Sequence, residues 1–332
     1  MHARDSYNDL FVLLRKELKN TVINGVLHCF SGSERDLENA LRLGLYISFT
    51  GPLTYKNNDE LRALVAHVPD DRLLLETDCP YLAPQSQRGK RNEPAFLCET
   101  AVCIAEVRGI SVEDLGRITT INCNTLFGFP DIDFIPRVVY KIRDSLYINT
   151  TKECTNECTF CVRFFENFVK GHNLRIDRDP DVAAILKEIE SFGTGFKEVV
   201  FCGFGEPLIR LDFVKDVSRA LKEKNIYIRV DTNGHGNLIH KRNILPEVAG
   251  LVDELSISLN APNASTYRAI CRPHFEGNVY QEVVNFVREA KKHIPHVAIT
   301  YLDLPGIEHH EMERIAEELG VGVRCRHYNK IG

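Results

Sequence analysis

Apolar positions along the chain follow two rhythms. Runs such as Leu45-Tyr46-Ile47-Ser48-Phe49 and Leu73-Leu74-Leu75 are apolar at nearly every position. That is the pattern of strands covered on both faces, as in a parallel sheet. Between them, residues such as Leu37, Ala40 and Leu41 recur three and four apart, which places them on one face of a helix. In residues 1–129 the pattern predicts strands at 25–30, 45–49 and 72–76. It predicts helices at 34–43, 60–66 and 95–107, with one or two more within 111–127. Alternating strands and helices imply a parallel sheet or a barrel.

The rhythm breaks at 128–136, where two prolines fall in a stretch with no helical period. It then resumes, with strands predicted at 146–149, 198–201, 226–230, 254–259 and 297–301. Helices are predicted at 182–192, 213–224, 280–292 and 311–319. The expected domains are 1–130 and 141–332, joined by a linker at 131–140. A length of 332 residues suits two such domains.

A net charge of −5 argues against a chain whose main work is coating nucleic acid or an anionic membrane. No apolar run approaches the roughly 20 residues a membrane-spanning helix requires, so no membrane partner is expected. There is no secretory leader pattern, and eleven cysteines are scattered irregularly. We therefore expect a reducing cytoplasm, with most cysteines, Cys271 and Cys325 among them, as small buried hydrophobes.

Three cysteines differ from the rest. Cys154, Cys158 and Cys161 lie within eight residues, just past a predicted strand. Thiolates suit zinc or iron–sulfur clusters. A structural zinc site takes four ligands, and no fourth Cys or His follows at short spacing. A [4Fe-4S] cluster on three thiolates leaves one iron open to a small molecule. Three buried thiols, or a zinc knuckle completed by Cys202, are the alternatives.

The segment Cys154-Thr-Asn-Glu-Cys158-Thr-Phe160-Cys161 resembles the C-x3-C-x2-C signature of the radical S-adenosylmethionine (SAM, AdoMet) family. The resemblance implies that the three cysteines are the catalytic cluster ligands, with Phe160 beside them. It implies AdoMet bound at the open iron and cleaved reductively to a 5′-deoxyadenosyl radical. An external one-electron donor, flavodoxin-like or ferredoxin-like, is implied with it. Cys202-Gly203-Phe204-Gly205-Glu206-Pro207 is similar to the family's G-G-E-P segment, with Phe204 replacing a glycine. Gly203, Phe204, Gly205 and Glu206 thereby become candidate AdoMet contacts. Asp231 and Asn233, then Ser258 and Asn260, end the next two predicted strands and join them as candidates. With five or six strand–helix units, a partial (βα)6-type barrel open on one side is expected. That openness suits a macromolecular substrate.

His28-Cys29-Phe30-Ser31-Gly32 and Glu76-Thr77-Asp78 end predicted strands in the first half, and His2 stands where a strand could end. Histidines and an aspartate converging from strand ends could hold a water-activating divalent metal. With Arg88-Gly89-Lys90-Arg91-Asn92-Glu93-Pro94, these motifs resemble the C-terminal half of the TatD family of metal-dependent hydrolases, which are TIM barrels associated with DNA cleavage. The resemblance implies His2, His28 and Asp78 as residual metal ligands. Arg88 to Arg91 would then face a nucleic-acid backbone. The family's H-x-H pair and bridging glutamate are missing. Only about four of eight barrel strands fit in 129 residues, so a partial TIM barrel and a poor hydrolase are expected. Met1 is expected to be internal to a longer hydrolase. The whole chain resembles TatD-linked radical AdoMet proteins. The expected function is radical AdoMet chemistry fused to an incomplete hydrolase. The alternative is a TatD-type DNase or esterase whose iron–sulfur domain is regulatory or structural.

Overall fold

A computed structural model describes residues 1–18, 23–129, 135–165 and 167–326. The chain is α/β and divides into two compact units, Met1–Asp133 and Phe134–Lys330.

The first unit runs α1 (Tyr7–Leu18), β1 (Val26–Leu27), α2 (Glu34–Arg42), β2 (Tyr46–Phe49), α3 (Asp59–Val65), β3 (Leu73–Leu75), α4 (Leu97–Arg108) and α5 (Val112–Phe127). The strands pair in parallel in the order β1-β2-β3, with Leu27 opposite Ile47 and Ile47 opposite Leu73. These side chains form one core with Leu37 and Ala40 of α2, Ile104 of α4 and Leu115 of α5. Helix boundaries follow local chemistry. Ser33 and Asp36 cap α2 reciprocally, and Ser111 caps α5. Gly109 and Gly128 close α4 and α5 in the left-handed conformation that glycine tolerates.

The strand expected at 25–30 is only two residues long, because Cys29 takes a φ of 51° and turns the chain. The described residues hold three strands where about four were expected. A trace of the fourth is present: the Met1 amino group donates to Val26 O (2.7 Å) and His28 N donates to Met1 O (3.0 Å), one rung of a parallel ladder. Helix α1 was not legible, since Leu10-Phe11-Val12-Leu13-Leu14 is a continuous apolar run. Tyr7 and Phe11 face inward, while Val12 and Leu13 are exposed.

The second unit begins with β4 (Val139–Ile142) and β5 (Ser145–Asn149), then a small hairpin of β6 (Phe168–Val169) and β7 (His172–Asn173). There follow α6 (Val182–Ser191), β8 (Glu198–Cys202), α7 (Leu211–Lys222), β9 (Tyr227–Thr232), α8 (Gly236–His240) and α9 (Leu245–Val248). The last elements are β10 (Glu254–Ser258), α10 (Ala264–Cys271), α11 (Val279–His293), β11 (His296–Leu302), α12 (His309–Leu319) and β12 (Gly322–Arg326). Strand β4 straddles the 140/141 boundary read from sequence. Of the expected linker, residues 131–134 lie outside the described residues.

Seven strands form one sheet in the order β4-β5-β8-β9-β10-β11-β12, antiparallel only between β4 and β5. From β5 onward six parallel strands stand side by side in chain order. Successive side chains of a strand point to opposite faces, and here the two faces differ sharply. Leu146, Ile148, Val199, Phe201, Ile228, Val230, Leu255, Ile257 and Ile299 pack with Val214 and Val217 of α7 and with Val283 and Val287 of α11. Intervening positions put Tyr147, Asn149, Cys202, Arg229, Asp231, Ser258 and Thr300 on the other face.

Candidate functional site

The loop after β5 carries Cys154, Cys158 and Cys161, and its backbone is fastened along two flanks. On one flank it lies against the end of α10. Glu157 N donates to Cys271 O and Arg272 O (both 3.2 Å), Thr159 N to Ile270 O (2.8 Å), and His274 N to Thr155 O (2.9 Å). On the other flank it meets the segment after β8, where Glu206 N donates to Glu153 O (2.8 Å). Gly203 and Gly205 make that approach possible. A Cβ on Gly203 would lie 2.2 Å from Asn149 Oδ1, and one on Gly205 would lie 2.3 Å from Thr151 O and 2.4 Å from Glu153 O. The chain neighbours these glycines admit are Asn149 at the end of β5 for Gly203 and the backbone of the cysteine loop for Gly205. Phe204 is half-buried between them, and Phe160 packs against the core.

Glu206 is buried, and its carboxylate accepts from Leu208 N (3.0 Å), Thr232 Oγ1 (2.7 Å) and Asn233 N (2.6 Å). It therefore brackets the ends of β8 and β9. Burial raises its pKa to about 7 against the lowering effect of these donors.

Burial raises the pKa of all three loop thiols except that at Cys158 another cause ranks first. Cys154 reaches about 11, and Cys161 also rises. Cys158 is pushed well up by a hydrogen bond with the Cys271 thiol and by burial. Cys154 Sγ accepts from Asn156 N (3.4 Å) and from Asn233 Nδ2 (3.8 Å). Cys271 Sγ accepts from Asn260 Nδ2 (3.9 Å). Cys271 was read as an isolated thiol; it is in fact the cysteine beside Cys158, while Cys202 lies on the sheet face, its thiol pushed up to about 12 by burial.

Among the described residues, no three His, Cys, Asp or Glu side chains are grouped to hold a metal ion. A cluster offers a separate iron to each thiolate, so it does not require convergence on one point. The donor set fits such a group: three thiols on one fastened loop, with N–H donors already aimed at one sulfur. Three buried amide oxygens here, Asn149 Oδ1 at the end of β5, Asn156 Oδ1 in the loop and Asn260 Oδ1 at the end of β10, have no partner. A polar ligand beside the loop would satisfy them.

The remaining candidates lie at the C-terminal ends of β9 and β10. Asp231 pairs with Arg229 (2.9 Å), which also holds Glu198 (3.1 Å). Burial raises the Asp231 carboxyl's pKa, opposed chiefly by Arg229. Ser258 Oγ accepts from Arg326 Nη2 (3.1 Å). Arg326 and His235 were not singled out from the sequence, because each is a single residue in an unremarkable stretch; Thr155 was passed over inside the cysteine motif, and Cys271 was read only as a buried thiol.

In the first unit His28 Nδ1 lies 3.0 Å from both oxygens of Glu76, and Cys29 N donates to Glu76 Oε1 (2.5 Å). That contact orients the imidazole and leaves Nε2 free. The His2 and His28 rings are 5.2 Å apart. Asp78 is close enough to Cys29 to raise its thiol pKa, after burial, which is the larger cause. Yet His2, His28 and Asp78 do not form a metal-holding group. Asn92, from the basic motif, is a structural pin: its Nδ2 donates to Thr77 O (2.7 Å) and Tyr81 O (2.6 Å). Arg88 stacks over Tyr55 at 4.4 Å.

An α/β sheet whose strand ends gather around a three-cysteine loop defines a class that comparison with known families makes specific. Residues 148–319 match the family model of the Radical SAM superfamily, and the chain belongs to that superfamily. Residues 1–128 match the model of TatD related DNase, so the two segments are joined in one chain. Over 127 residues the chain is 46% identical to the uncharacterized metal-dependent hydrolase YcfH of Escherichia coli K12, covering 38% of this chain and 48% of that protein. It is 41% identical over 127 residues to the uncharacterized metal-dependent hydrolase YabD of Bacillus subtilis, covering 38% and 49%. The chain thus spans about half the length of the curated relatives it matches. Among solved structures, Streptococcus suis SuiB bound to its precursor peptide SuiA is similar at 14% identity and a TM-score of 0.42, over 73% of this chain and 47% of that one. No helix among the described residues is long and apolar enough to cross a membrane.

Proposed function

We propose that this chain is a radical SAM enzyme whose Cys154, Cys158 and Cys161 hold a [4Fe-4S] cluster that binds AdoMet. The observation that carries the reading is the fastening of all three thiols on one loop, between the α10 end and the Gly203–Glu206 segment. When bound, the reduced cluster and AdoMet would supply a 5′-deoxyadenosyl radical able to abstract hydrogen. The chain's own part is positional. Gly203 and Gly205 let the loop seat against β8. Glu206 locks the ends of β8 and β9 at one height. The unpartnered oxygens of Asn156 and Asn260 offer acceptors to AdoMet's ammonium or ribose hydroxyls. The six parallel strands in chain order support a partial (βα)6 barrel with its site at the strand ends.

The domain would occupy 141–332, receive electrons from a flavodoxin-like or ferredoxin-like donor, and work in a reducing cytoplasm. Its exposed sheet edge suits a macromolecular substrate. The hydrolase reading is not favoured, since His2, His28 and Asp78 do not form a metal-holding group.

The test is anaerobic iron–sulfide reconstitution and dithionite reduction with AdoMet. Formation of 5′-deoxyadenosine by the native chain but not by Cys154→Ala is expected. A native chain that takes up a full cluster and never cleaves AdoMet would overturn the proposal.

A further inference from the structure

Behind the cysteine loop lies a buried chain of hydrogen bonds whose last link, from Asn233 to a sulfur, has its direction fixed by a backbone contact. His235 N donates to Asn233 Oδ1 (2.9 Å), which fixes the orientation of the Asn233 amide. Its Nδ2 is therefore the atom facing Thr155 Oγ1 (3.0 Å) and Cys154 Sγ (3.8 Å). Thr155 Oγ1 also lies 2.8 Å from His235 Nδ1 and, with a second lone pair as well as its proton, bonds either tautomer of that ring. His235 Nε2 lies 2.9 Å from Tyr267 OH, so each ring nitrogen has a hydroxyl partner able to donate or accept. His235 is fully buried, and Phe275 stands edge-on to its ring at 5.5 Å. The relay joins the ends of β5 and β9, α8 and α10, and it ends on one sulfur.

We infer that Asn233 is a positioning residue for the cluster, held by the Tyr267–His235–Thr155 relay so that its Nδ2–H donates to the Cys154 sulfur and raises the cluster's reduction potential. The inference rests on the proposed cluster at Cys154. Its physical basis is general: a donor to a ligating sulfur favours the state with the extra electron, because that state puts more negative charge on the sulfur. This gives Asn233 a different partner from the AdoMet molecule expected from sequence.

The test uses the reconstituted full chain under anaerobic conditions. Reduction is followed by spectroelectrochemistry and by electron paramagnetic resonance of the reduced cluster. The wild type is compared with Asn233→Ala, Thr155→Val and Tyr267→Phe. Asn233→Ala should lower the reduced-to-oxidised ratio about tenfold at a fixed potential, a shift of about 59 mV for one electron. Thr155→Val should shift it the same way but less, and Tyr267→Phe least. A fully loaded Asn233→Ala cluster within twofold of wild type would overturn the inference.

A second measurement needs no cluster. In the metal-free chain, nitrogen-15 NMR should find His235 held in a single neutral tautomer by its two hydroxyl partners. The Asn233 side-chain amide resonances should move in Cys154→Ala. A mixture of His235 tautomers, or an Asn233 amide indifferent to Cys154→Ala, would overturn the relay. Failure of the wild type to take up iron would instead defeat the proposed function, and the metal-free measurement would still decide the relay.

Discussion

Gly205→Ala isolates the contact between the cysteine loop and the segment after β8. The new methyl would lie 2.3 Å from Thr151 O, 2.4 Å from Glu153 O and 2.8 Å from the Thr151 carbonyl carbon. Backbone atoms cannot rotate aside as a side chain can. The loop must withdraw by about 1 Å, the kind of overpacking that costs roughly 2–3 kcal/mol. Withdrawal also stretches the bond from Glu206 N to Glu153 O, now 2.8 Å, and a lost internal hydrogen bond costs about 1 kcal/mol. The alanine restricts the unfolded chain, which offsets roughly 0.4–1 kcal/mol. The net expectation is a loss of about 3 kcal/mol in the second unit. Urea titration followed by circular dichroism would measure it. Hydrogen exchange of peptides covering 151–161 and 203–207 would localise it, with faster exchange expected in both. A loss below about 1 kcal/mol with unchanged exchange would refute the claim that this glycine is required by its own chain.

Arg229→Ala should leave Glu198 and Asp231 facing each other without their shared cation, costing about 3–5 kcal/mol; a urea midpoint equal to wild type would contradict this. Burial lowers the pKa of His235 to about 4, with His274 adding to the effect. Its unfolded state therefore binds the proton first, so stability is full above about pH 6.5 and falls as pH drops toward 4, by at most roughly 3 kcal/mol. Glu206, raised to about 7 by burial, has the opposite slope, with stability lost as pH rises through that range. The His235 component must therefore be read as the difference between wild type and His235→Gln, and parallel pH profiles would count against it. Asn122 is buried in the first unit, with Nδ2 donating to Asp70 O (2.6 Å) and Leu73 O (2.8 Å). Asn122→Ala should cost about 1–3 kcal/mol by removing both hydrogen bonds, checked by thermal unfolding of the variant.

Legibility in the sequence followed periodicity. Strands such as Tyr46–Phe49 and helices such as Val279–His293 carry many apolar positions at one spacing, and both were located within a residue or so. Elements without that signal were missed. In β12 the residues Gly322, Val323 and Arg324 are exposed at the sheet edge, so they show no burial pattern. Helix α10 is eight residues long and starts on an Asn263 cap rather than on an apolar stripe. The cysteine triplet was legible because its three ligands are local in sequence. The Cys271 thiol and the His235 relay were not, because they reach the loop from residues about 80 to 110 positions away. Glu76 was read as part of a motif, but its grip on His28 appears only when two strand ends are brought together.

The second sheet divides its strand positions by parity. Along β9, Ile228 and Val230 bury against helices while Arg229 and Asp231 turn to the opposite face, and neighbouring strands keep the same division. Cohesion and chemistry are thus written in alternate letters of the same strands. Substitutions at Ser256, Ser258, Thr300 or Arg326 can be sampled as a library while the alternate residues, which hold the sheet to its helices, stay fixed. A chain built this way can change what it acts on without first having to solve its fold again.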